Sequence, residues 1–263
     1  MAAESEELIM HISLRSHIAT FLGLCGLVSA PVCAGEVNIA VASNFAAPVE
    51  RIVAIFQKES GHTVKVSLGA SSKLYAQIKA GVPFDAYLSA DEEQPKLLLQ
   101  EGLAVSGSRF VYATGRLVLW SAQPGLVDDK GAVLNKGNFS RLAIANPRFS
   151  PYGVAAKETL GKLTMWNAIQ GKLDKGDDVT QTFQLAATEK ADLAFIALSQ
   201  VMRDGKVSVG SWWLVPSELH KPIRQGAVLL SGAKDQPAAQ AFLAFLKSKK
   251  AMAVMRGFGY EPP

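Results

Sequence analysis

The sequence contains little cysteine and histidine, which narrows the chemistry open to it. Its 263 residues include two cysteines, Cys25 and Cys33, and four histidines. Both cysteines lie within the first 34 residues, so the rest of the chain can form no disulfide, thiolate nucleophile or cysteine-ligated metal site. The two histidines beyond that point, His62 and His220, lie in polar connecting segments, and neither H-x-x-x-H nor H-E-x-x-H spacing occurs.

Long hydrophobic runs are also missing, apart from one near the start. Residues 18–28 form an apolar run that is too short to span a bilayer, and small residues follow it at a possible cleavage position. We interpret residues 1–34 as a secretory signal peptide that is cleaved after Ala34. The acidic opening is atypical of such a signal, which leaves Met10 as an alternative start. A lipoprotein anchor is a second alternative, although the residues before the cysteines fit a lipobox poorly. An exported chain without cysteine is typical of the bacterial periplasm.

The charge of the chain is mildly positive and evenly spread. Removing residues 1–34 takes one basic and three acidic residues from totals of 27 and 23, so the net charge rises from +4 to +6. The basic residues are scattered, and no stripe of them alternates with aromatic residues. This pattern does not favour nucleic-acid binding.

No complete catalytic set is visible. The G-x-S-x-G elbow and the Walker and dinucleotide glycine patterns do not occur. Asp85 and Asp91, in the segment PFDAYLSADE, are the natural candidates for an enzyme. We expect Asp91 to cap a helix and Asp85 to accept backbone N–H groups, in preference to acid–base catalysis. An exported hydrolase that uses Asp85 or Asp91 is therefore kept only as an alternative function.

Predicted strands alternate with predicted helices along most of the chain, which is typical of an α/β fold with parallel sheets. The run VNIAVAS is apolar throughout, as in a strand buried on both faces, and the helix after it stops at Gly61. We expect a loop over 123–140 and a terminal helix capped at Asp235. The other predicted strands are 63–68, 84–89, 141–145, 192–196 and 226–230, and the other helices are 72–80, 153–162, 164–171, 180–188 and 198–203.

The order of these elements predicts two lobes joined by two hinge strands. The segment 109–122 is either a strand pair or one strand broken at Gly115, and a strand returns late in the chain. We assign residues 35–114 and 224–263 to lobe 1 and residues 115–223 to lobe 2.

Three predicted strands end in a short polar turn that opens a helix. The turns contain Ser43-Asn44, Ser71-Ser72 and Tyr152-Gly153, and none carries an obvious counter-charge. Helix N-termini with free N–H groups bind anions, and ligands of α/β sheets bind beyond the carboxyl ends of the strands. The pattern predicts a cleft that holds a fully deprotonated oxyanion without Lys or Arg. The plainer alternative is that these side chains only cap helices.

Beyond residue 34 the sequence resembles the periplasmic molybdate-binding proteins of ABC transporters, the ModA family. The shared segments are ASNF, GASS followed by YAQI, PFDAYLSADE, GRLVLWS, NP-x-x-x-PYG and ADLAFIALSQ. The resemblance implies a two-lobed type II binding-protein fold, with a mostly parallel sheet flanked by helices in each lobe. It also implies a monomeric periplasmic receptor, without a cofactor or enzymatic activity, that binds molybdate or tungstate and delivers it to a membrane permease.

The resemblance also implies a set of ligand-binding residues. Carried over by position, Ser43 and Asn44 bind from the first turn and Ser71 from the second, and Tyr152 and Val179 donate their backbone N–H groups. One branch of the family adds a tyrosine hydroxyl near ADLAFIAL. This chain has Ala197 there, so it resembles the branch that uses Asn44 instead.

The chemistry of molybdate fits a site built from donors alone. Molybdate at neutral pH is a dianion with four acceptor oxygens and no proton to donate, whereas protonated phosphate also needs an acceptor. Sulfate has the same character, so a receptor for sulfate or thiosulfate is the alternative within this class. Cavity size must separate molybdate and tungstate from sulfate.

Overall fold

The computed structural model describes residues 34–263. The predicted signal peptide, residues 1–34, therefore lies outside the described residues except for Ala34. Within the described part, no helix is long and apolar enough to cross a bilayer. No group of three or more histidine, aspartate or glutamate side chains in that part could hold a metal ion.

Strands and helices alternate through most of the described chain. The strands are β1 (Glu36–Ala42), β2 (Thr63–Gly69), β3 (Ala86–Leu88), β4 (Phe110–Gly115), β5 (Leu117–Ser121), β6 (Leu142–Ala145), β7 (Leu173–Gly176), β8 (Leu193–Ala197), β9 (Met202–Arg203), β10 (Lys206–Val207), β11 (Ser211–Leu214) and β12 (Ile223–Leu229). The helices are α1 (Ala46–Ser60), α2 (Ser71–Lys79), α3 (Glu93–Gln100), α4 (Val133–Lys136), α5 (Pro151–Lys162), α6 (Val179–Ala187), α7 (Leu198–Val201), α8 (Pro237–Leu246) and α9 (Lys249–Gly257).

Two five-stranded sheets form the centres of the two lobes. The sheet of lobe 1 has the order β2-β1-β3-β12-β4, and the sheet of lobe 2 has the order β11-β5-β8-β6-β7. Both sheets are mixed, because each contains two parallel and two antiparallel pairings. The two-lobed α/β fold predicted from the sequence is confirmed, with sheets that are less uniformly parallel than expected.

The sequence of β1 is apolar because both faces of the strand are covered. It lies between β2 and β3, and its alternate side chains point to opposite sides of the sheet. Val37, Ile39 and Val41 pack in one core with residues of α1, α8 and α9, while Ala40 packs in another with residues of α2 and α3. A strand covered on both faces requires a nearly continuous apolar run.

The chain passes between the two sheets twice. The first crossing is Arg116, between β4 and β5, and the second is the segment 215–222, between β11 and β12. The segment 109–122 is therefore broken next to Gly115, as one of its two interpretations predicts. The exact lobe boundaries, residues 35–114 with 224–263 and residues 115–223, stay a prediction.

Some local predictions were wrong. The predicted helix over 164–171 is absent, because Thr164 adopts a left-handed conformation with φ of 59°, and a 3₁₀ turn and β7 follow it. Asp235 does not cap α8. Gln236 occupies the N-cap position without a side-chain hydrogen bond, and Pro237 is the first helical residue. The expected loop at 123–140 contains the short helix α4.

Candidate functional site

The first predicted turn lies at the carboxyl end of β1. Ser43, Asn44 and Phe45 form a 3₁₀ turn that leads into α1, and Ser43 and Asn44 are 5% and 3% exposed. No side-chain capping bond forms at the start of either the turn or α1. The plainer alternative, in which Ser43 and Asn44 only cap a helix, therefore does not describe their hydrogen bonding.

The second turn places Ser71 at the first position of α2. Its hydroxyl oxygen accepts the N–H of Ala90 at 3.0 Å, and the residue is 1% exposed. Its carbonyl oxygen accepts the hydroxyl of Tyr87 at 2.8 Å. Because Ala90 occupies an acceptor position of the Ser71 hydroxyl, the hydroxyl proton is left to donate to another group.

The remaining two predicted residues lie at helix starts in lobe 2. Tyr152 is the second residue of α5, after Pro151, and Val179 is the first residue of α6. The first N–H groups of a helix have no acceptor within the helix. Asp178 caps α6 by accepting the N–H of Gln181 at 2.9 Å. Backbone donors at Tyr152 and Val179 thus stand at the positive ends of two helix dipoles.

The structure brings these turns together where the lobes meet. Ala42 and Ala90 of lobe 1 lie in the same buried cluster as Tyr152 and Val179 of lobe 2. The N–H of Ser72 donates to the carbonyl of Phe149 across the boundary, at 3.2 Å. Helix α6 also contacts the turn at 43–45. The lobes are therefore in contact, and the four donor-bearing helix starts lie at or next to residues of this shared cluster.

A buried polar network that the sequence analysis did not single out lies beside this region. The Asn44 amide nitrogen donates to Gln225 Oε1 at 2.9 Å and to the Tyr260 hydroxyl at 2.8 Å. The Ser199 hydroxyl donates to the Asn44 carbonyl at 2.7 Å. Both amide N–H groups of Asn44 thus have protein acceptors. The signal in the sequence was weak, because Gln225 follows Arg224 in β12 and polarity alone does not show that the glutamine is buried and the arginine exposed.

The tyrosines of this network are neutral at physiological pH. Tyr112 and Tyr152 also belong to it, because their hydroxyl groups bond to the Gln225 side chain. Burial raises the pKa of Tyr112 and Tyr152 well above the ordinary value for tyrosine. Burial also raises the pKa of Tyr260 to about 12. Their hydroxyl groups therefore stay protonated, and no phenolate charge stands near the helix starts to repel an anion.

Asp85 and Asp91 hold the backbone, as predicted. Asp85 Oδ2 accepts the N–H of Asn38 at 2.6 Å, and Asp91 Oδ1 accepts the N–H of Gln94 at 2.9 Å. Burial raises the pKa of Asp91, while its hydrogen bond from the Gln94 N–H opposes that rise. Both carboxylates thus have structural partners, one beside β1 and the other at the start of α3.

Two further features near the helix starts bear on the predicted site. A cleft of about 600 Å³ lies at the lobe boundary, and Ser72, Asp91, Phe149 and Arg224 are among the residues that line it. None of the five predicted ligand residues lines this cleft, but Ala90 and Pro151 do, so the cleft adjoins the region where the helix starts meet. Ala197, which stands where some relatives have a tyrosine, is buried, and its N–H donates to Gln200 Oε1 at 3.0 Å.

Comparisons with known proteins agree with this architecture. Residues 37–261 match the family model of the bacterial extracellular solute-binding proteins. The molybdate-binding protein ModA of Azotobacter vinelandii is 49% identical over 93% of this chain and 97% of its own length. ModA of Rhodobacter capsulatus is 47% identical over 92% of this chain and 94% of its own.

Solved structures show the same similarity. The periplasmic molybdate-binding protein of Azotobacter vinelandii superposes with a TM-score of 0.84, covering 87% of this chain and all of that one, at 38% identity. The sulfate-binding protein SubI of Mycobacterium tuberculosis superposes with a TM-score of 0.70 over 87% of each chain, at 13% identity, and supports the fold alone. The chain therefore belongs to the bacterial extracellular solute-binding proteins and, among them, to the ModA family.

Proposed function

We propose that this protein is a periplasmic receptor that binds molybdate or tungstate between its lobes and delivers the ion to the permease of an ABC transporter. The observation that carries the proposal is that four helix starts come together where the lobes touch. The five predicted ligand residues at these starts offer neutral donors, and none of them is a cation. A dianion without protons matches such a set of donors. The identity to two ModA proteins, close to one half, supports molybdate as the ligand.

Each of the five residues has a distinct role in this proposal. The hydroxyl groups of Ser43 and Ser71 donate to the anion from lobe 1, and the N–H groups of Tyr152 and Val179 donate from lobe 2. Asn44 contributes its backbone N–H, because both N–H groups of its side chain already bind Gln225 and Tyr260.

The number of donors sets the range of affinity that the proposal expects. A hydrogen bond to a charged group contributes about 1.5–3 kcal/mol, and a helix N-terminus adds up to about 1 kcal/mol for a nearby anion. Five such bonds supply roughly 8–15 kcal/mol before the cost of dehydrating the dianion. A dissociation constant in the micromolar range or below, which needs about 8 kcal/mol, is within reach.

Binding without turnover is also part of the proposal. A hydrolase would need Asp85 or Asp91 free to act on a substrate, but both accept backbone N–H groups. A receptor specific for sulfate has weaker support, because the sulfate-binding relative shares only 13% identity.

Isothermal titration of the purified protein, dialysed free of bound anions, with molybdate, tungstate and sulfate tests the proposal. We expect one-to-one binding of molybdate and tungstate, and no heat with sulfate at the same concentration. Binding of sulfate alone would assign the protein to a different oxyanion. No binding of any of the three would contradict the proposal and reopen the hydrolase alternative.

The location and assembly state need separate measurements. We expect the protein in the periplasmic fraction, with an N-terminus near Gly35 after export, and as a monomer in size-exclusion chromatography with light scattering. A cytoplasmic, uncleaved product would contradict the periplasmic assignment.

A further inference from the structure

Gln225 makes three hydrogen bonds in the interior of the protein. It lies in β12, and none of its surface is exposed. Its Oε1 accepts the Asn44 amide at 2.9 Å and the Tyr112 hydroxyl at 2.8 Å, and its Nε2 donates to the Tyr152 hydroxyl at 3.1 Å. One side chain thus contacts two of the five residues proposed to bind the anion.

The bonds of Gln225 connect the two lobes. Asn44 follows β1 and Tyr112 lies in β4, both in lobe 1, whereas Tyr152 lies in α5 of lobe 2. The strand that carries Gln225 follows the second crossing of the chain. The Gln225–Tyr152 bond therefore joins the turn at Asn44 to the start of α5, across the boundary that an opening motion would separate.

Two local features make room for this connection. The pairing of β12 with β4 shifts register between Gln225 and Gly226, and such an irregularity redirects a side chain. Gly115, at the end of β4, lies directly against the bonded pair. A Cβ atom there would overlap the Tyr152 hydroxyl and Gln225 Nε2.

A second link holds the same turn from lobe 2. The Ser199 hydroxyl, on α7, donates to the Asn44 carbonyl at 2.7 Å and lies 3.2 Å from the Tyr260 hydroxyl. The turn at Asn44 is thus held through its side chain by Gln225 and Tyr260 of its own lobe. It is held through its backbone by Ser199 of lobe 2, which meets it only when the lobes are in contact.

We propose that Gln225 is a positioning residue for anion binding, which aligns the turn at Asn44 with the start of α5 in the closed protein and does not itself contact the anion. This inference rests on the proposed function, because Asn44 and Tyr152 are proposed ligand residues. Opening breaks the Gln225–Tyr152 bond and leaves buried polar groups to be rehydrated. The amide therefore slows release of the anion and leaves its rate of entry nearly unchanged.

A matched pair of variants separates this role from general packing. Tyr152→Phe and Tyr112→Phe each remove one buried hydroxyl bonded to Gln225, but only the first bond joins the lobes. The backbone N–H of residue 152 is preserved in Tyr152→Phe. Gln225→Leu, with a similar side-chain volume, removes all three bonds and serves as a second test if its thermal unfolding stays cooperative.

Release of ⁹⁹Mo-labelled molybdate into excess unlabelled molybdate measures the dissociation rate, and isothermal titration supplies the dissociation constant. We expect Tyr152→Phe to release molybdate about 5- to 50-fold faster, with an association rate within about twofold of the parent protein, as loss of a buried hydrogen bond implies. Gln225→Leu should release molybdate at least as fast as Tyr152→Phe does. The release rate of Tyr112→Phe should stay within about threefold of that of the parent protein.

Equal dissociation rates for the two phenylalanine variants would overturn the positioning role while leaving the proposed function intact. A slower association rate with unchanged release would also overturn it. If the parent protein binds no molybdate, the proposed function fails, and the positioning role for this anion fails with it.

Discussion

Ser71 and Ser72 are adjacent and have the same side chain, yet their hydroxyl groups have different partners. The Ser71 hydroxyl accepts the N–H of Ala90 and is buried in the region where the helix starts meet. The Ser72 hydroxyl accepts the side-chain amide of Gln94 at 2.7 Å, and Ser72 lines the wide cleft. Each hydroxyl accepts one N–H group and keeps its own proton to donate, so at the scale of single residues the place of the hydroxyl decides which ligand it can reach.

Ser71→Ala should weaken molybdate binding about 10- to 100-fold, because a charge-assisted hydrogen bond contributes roughly 1.5–3 kcal/mol. The variant also leaves the N–H of Ala90 without its acceptor, so a modest loss of thermal stability is expected. Isothermal titration with molybdate measures the first effect and differential scanning calorimetry the second.

Ser72→Ala is the control for this prediction. It removes a hydroxyl from the neighbouring position of the same helix, and molybdate affinity should stay within about threefold of the parent protein. Equal losses of affinity in the two variants would mean that Ser71 acts through helix stability and does not donate to the anion.

At the scale of elements, the position of α5 depends on how closely it approaches β6. Gly153 lies in the first turn of this helix, and a Cβ atom there would overlap the carbonyl oxygen of Ala145. Pro151 occupies the first helical position, where its missing N–H costs no hydrogen bond. Gly153 lets the start of α5 approach the end of β6, and Pro151, whose ring fixes φ, begins the helix at that place.

Gly153→Ala should therefore push the start of α5 away from β6. We expect a loss of about 1–3 kcal/mol in the free energy of unfolding and at least a tenfold loss of molybdate affinity, because the Tyr152 N–H moves with the helix. Chemical denaturation and isothermal titration measure the two effects.

Gly161→Ala provides the control within the same helix. A Cβ atom at Gly161 meets nothing within 4 Å. Alanine is favoured over glycine in a helix by roughly 0.5–1 kcal/mol, so this variant should be slightly more stable and bind molybdate normally. Similar damage from both substitutions would contradict the close-approach explanation.

At the scale of the whole molecule, exposed ion pairs and buried tyrosines differ in how much they hold the lobes together. Lys73 and Asp177 form an ion pair across the boundary at 2.7 Å, with side chains 44% and 61% exposed. Such an exposed pair contributes only about 0–1 kcal/mol and is screened by salt. The hydroxyl groups of Tyr152 and Tyr260 contact Gln225 and Ser199 across the boundary, and both tyrosines are buried where water cannot compensate for a lost bond.

The free energy of unfolding should therefore fall steeply at alkaline pH. The pKa of Tyr260 is about 12 in the folded protein, and burial raises the pKa of Tyr87, Tyr112 and Tyr152 well above the ordinary value. Below about pH 10 these groups are protonated in both states and add no pH dependence. From about pH 10 to 12 the unfolded chain releases their protons while the folded chain keeps them, so stability falls as pH rises.

Thermal unfolding followed by circular dichroism between pH 8 and 12 measures this effect. Tyr260→Phe removes one titrating group, so the fall in its free energy of unfolding should be shallower by up to about 1.4 kcal/mol per pH unit. Four of the five tyrosines belong to the buried set, and Tyr75 does not. Titration of most of the tyrosine absorbance near 295 nm at about pH 10 in the folded protein would therefore contradict the prediction.

Much of the local structure was predictable because its causes act within a few residues. The apolar run of β1 and the glycine that ends α1 lie where the pattern predicted. Asp85 and Asp91 accept backbone N–H groups, as their places beside predicted elements indicated. The predicted helix over 164–171 is absent because Thr164 adopts a left-handed conformation, which the apolar periodicity of the segment does not reveal.

The sequence by itself determined the alternation of strands and helices, the polar turns that open the helices, and the family. These features depend on residue spacing and turn chemistry, which act along the chain. Only the tertiary structure decided which polar groups share one buried region. Asn44 meets Gln225 and Tyr260 across 181 and 216 residues, and those bonds take up both N–H groups of its amide. Contacts at such separations arise because the chain returns to lobe 1 after forming lobe 2, so no local pattern encodes them.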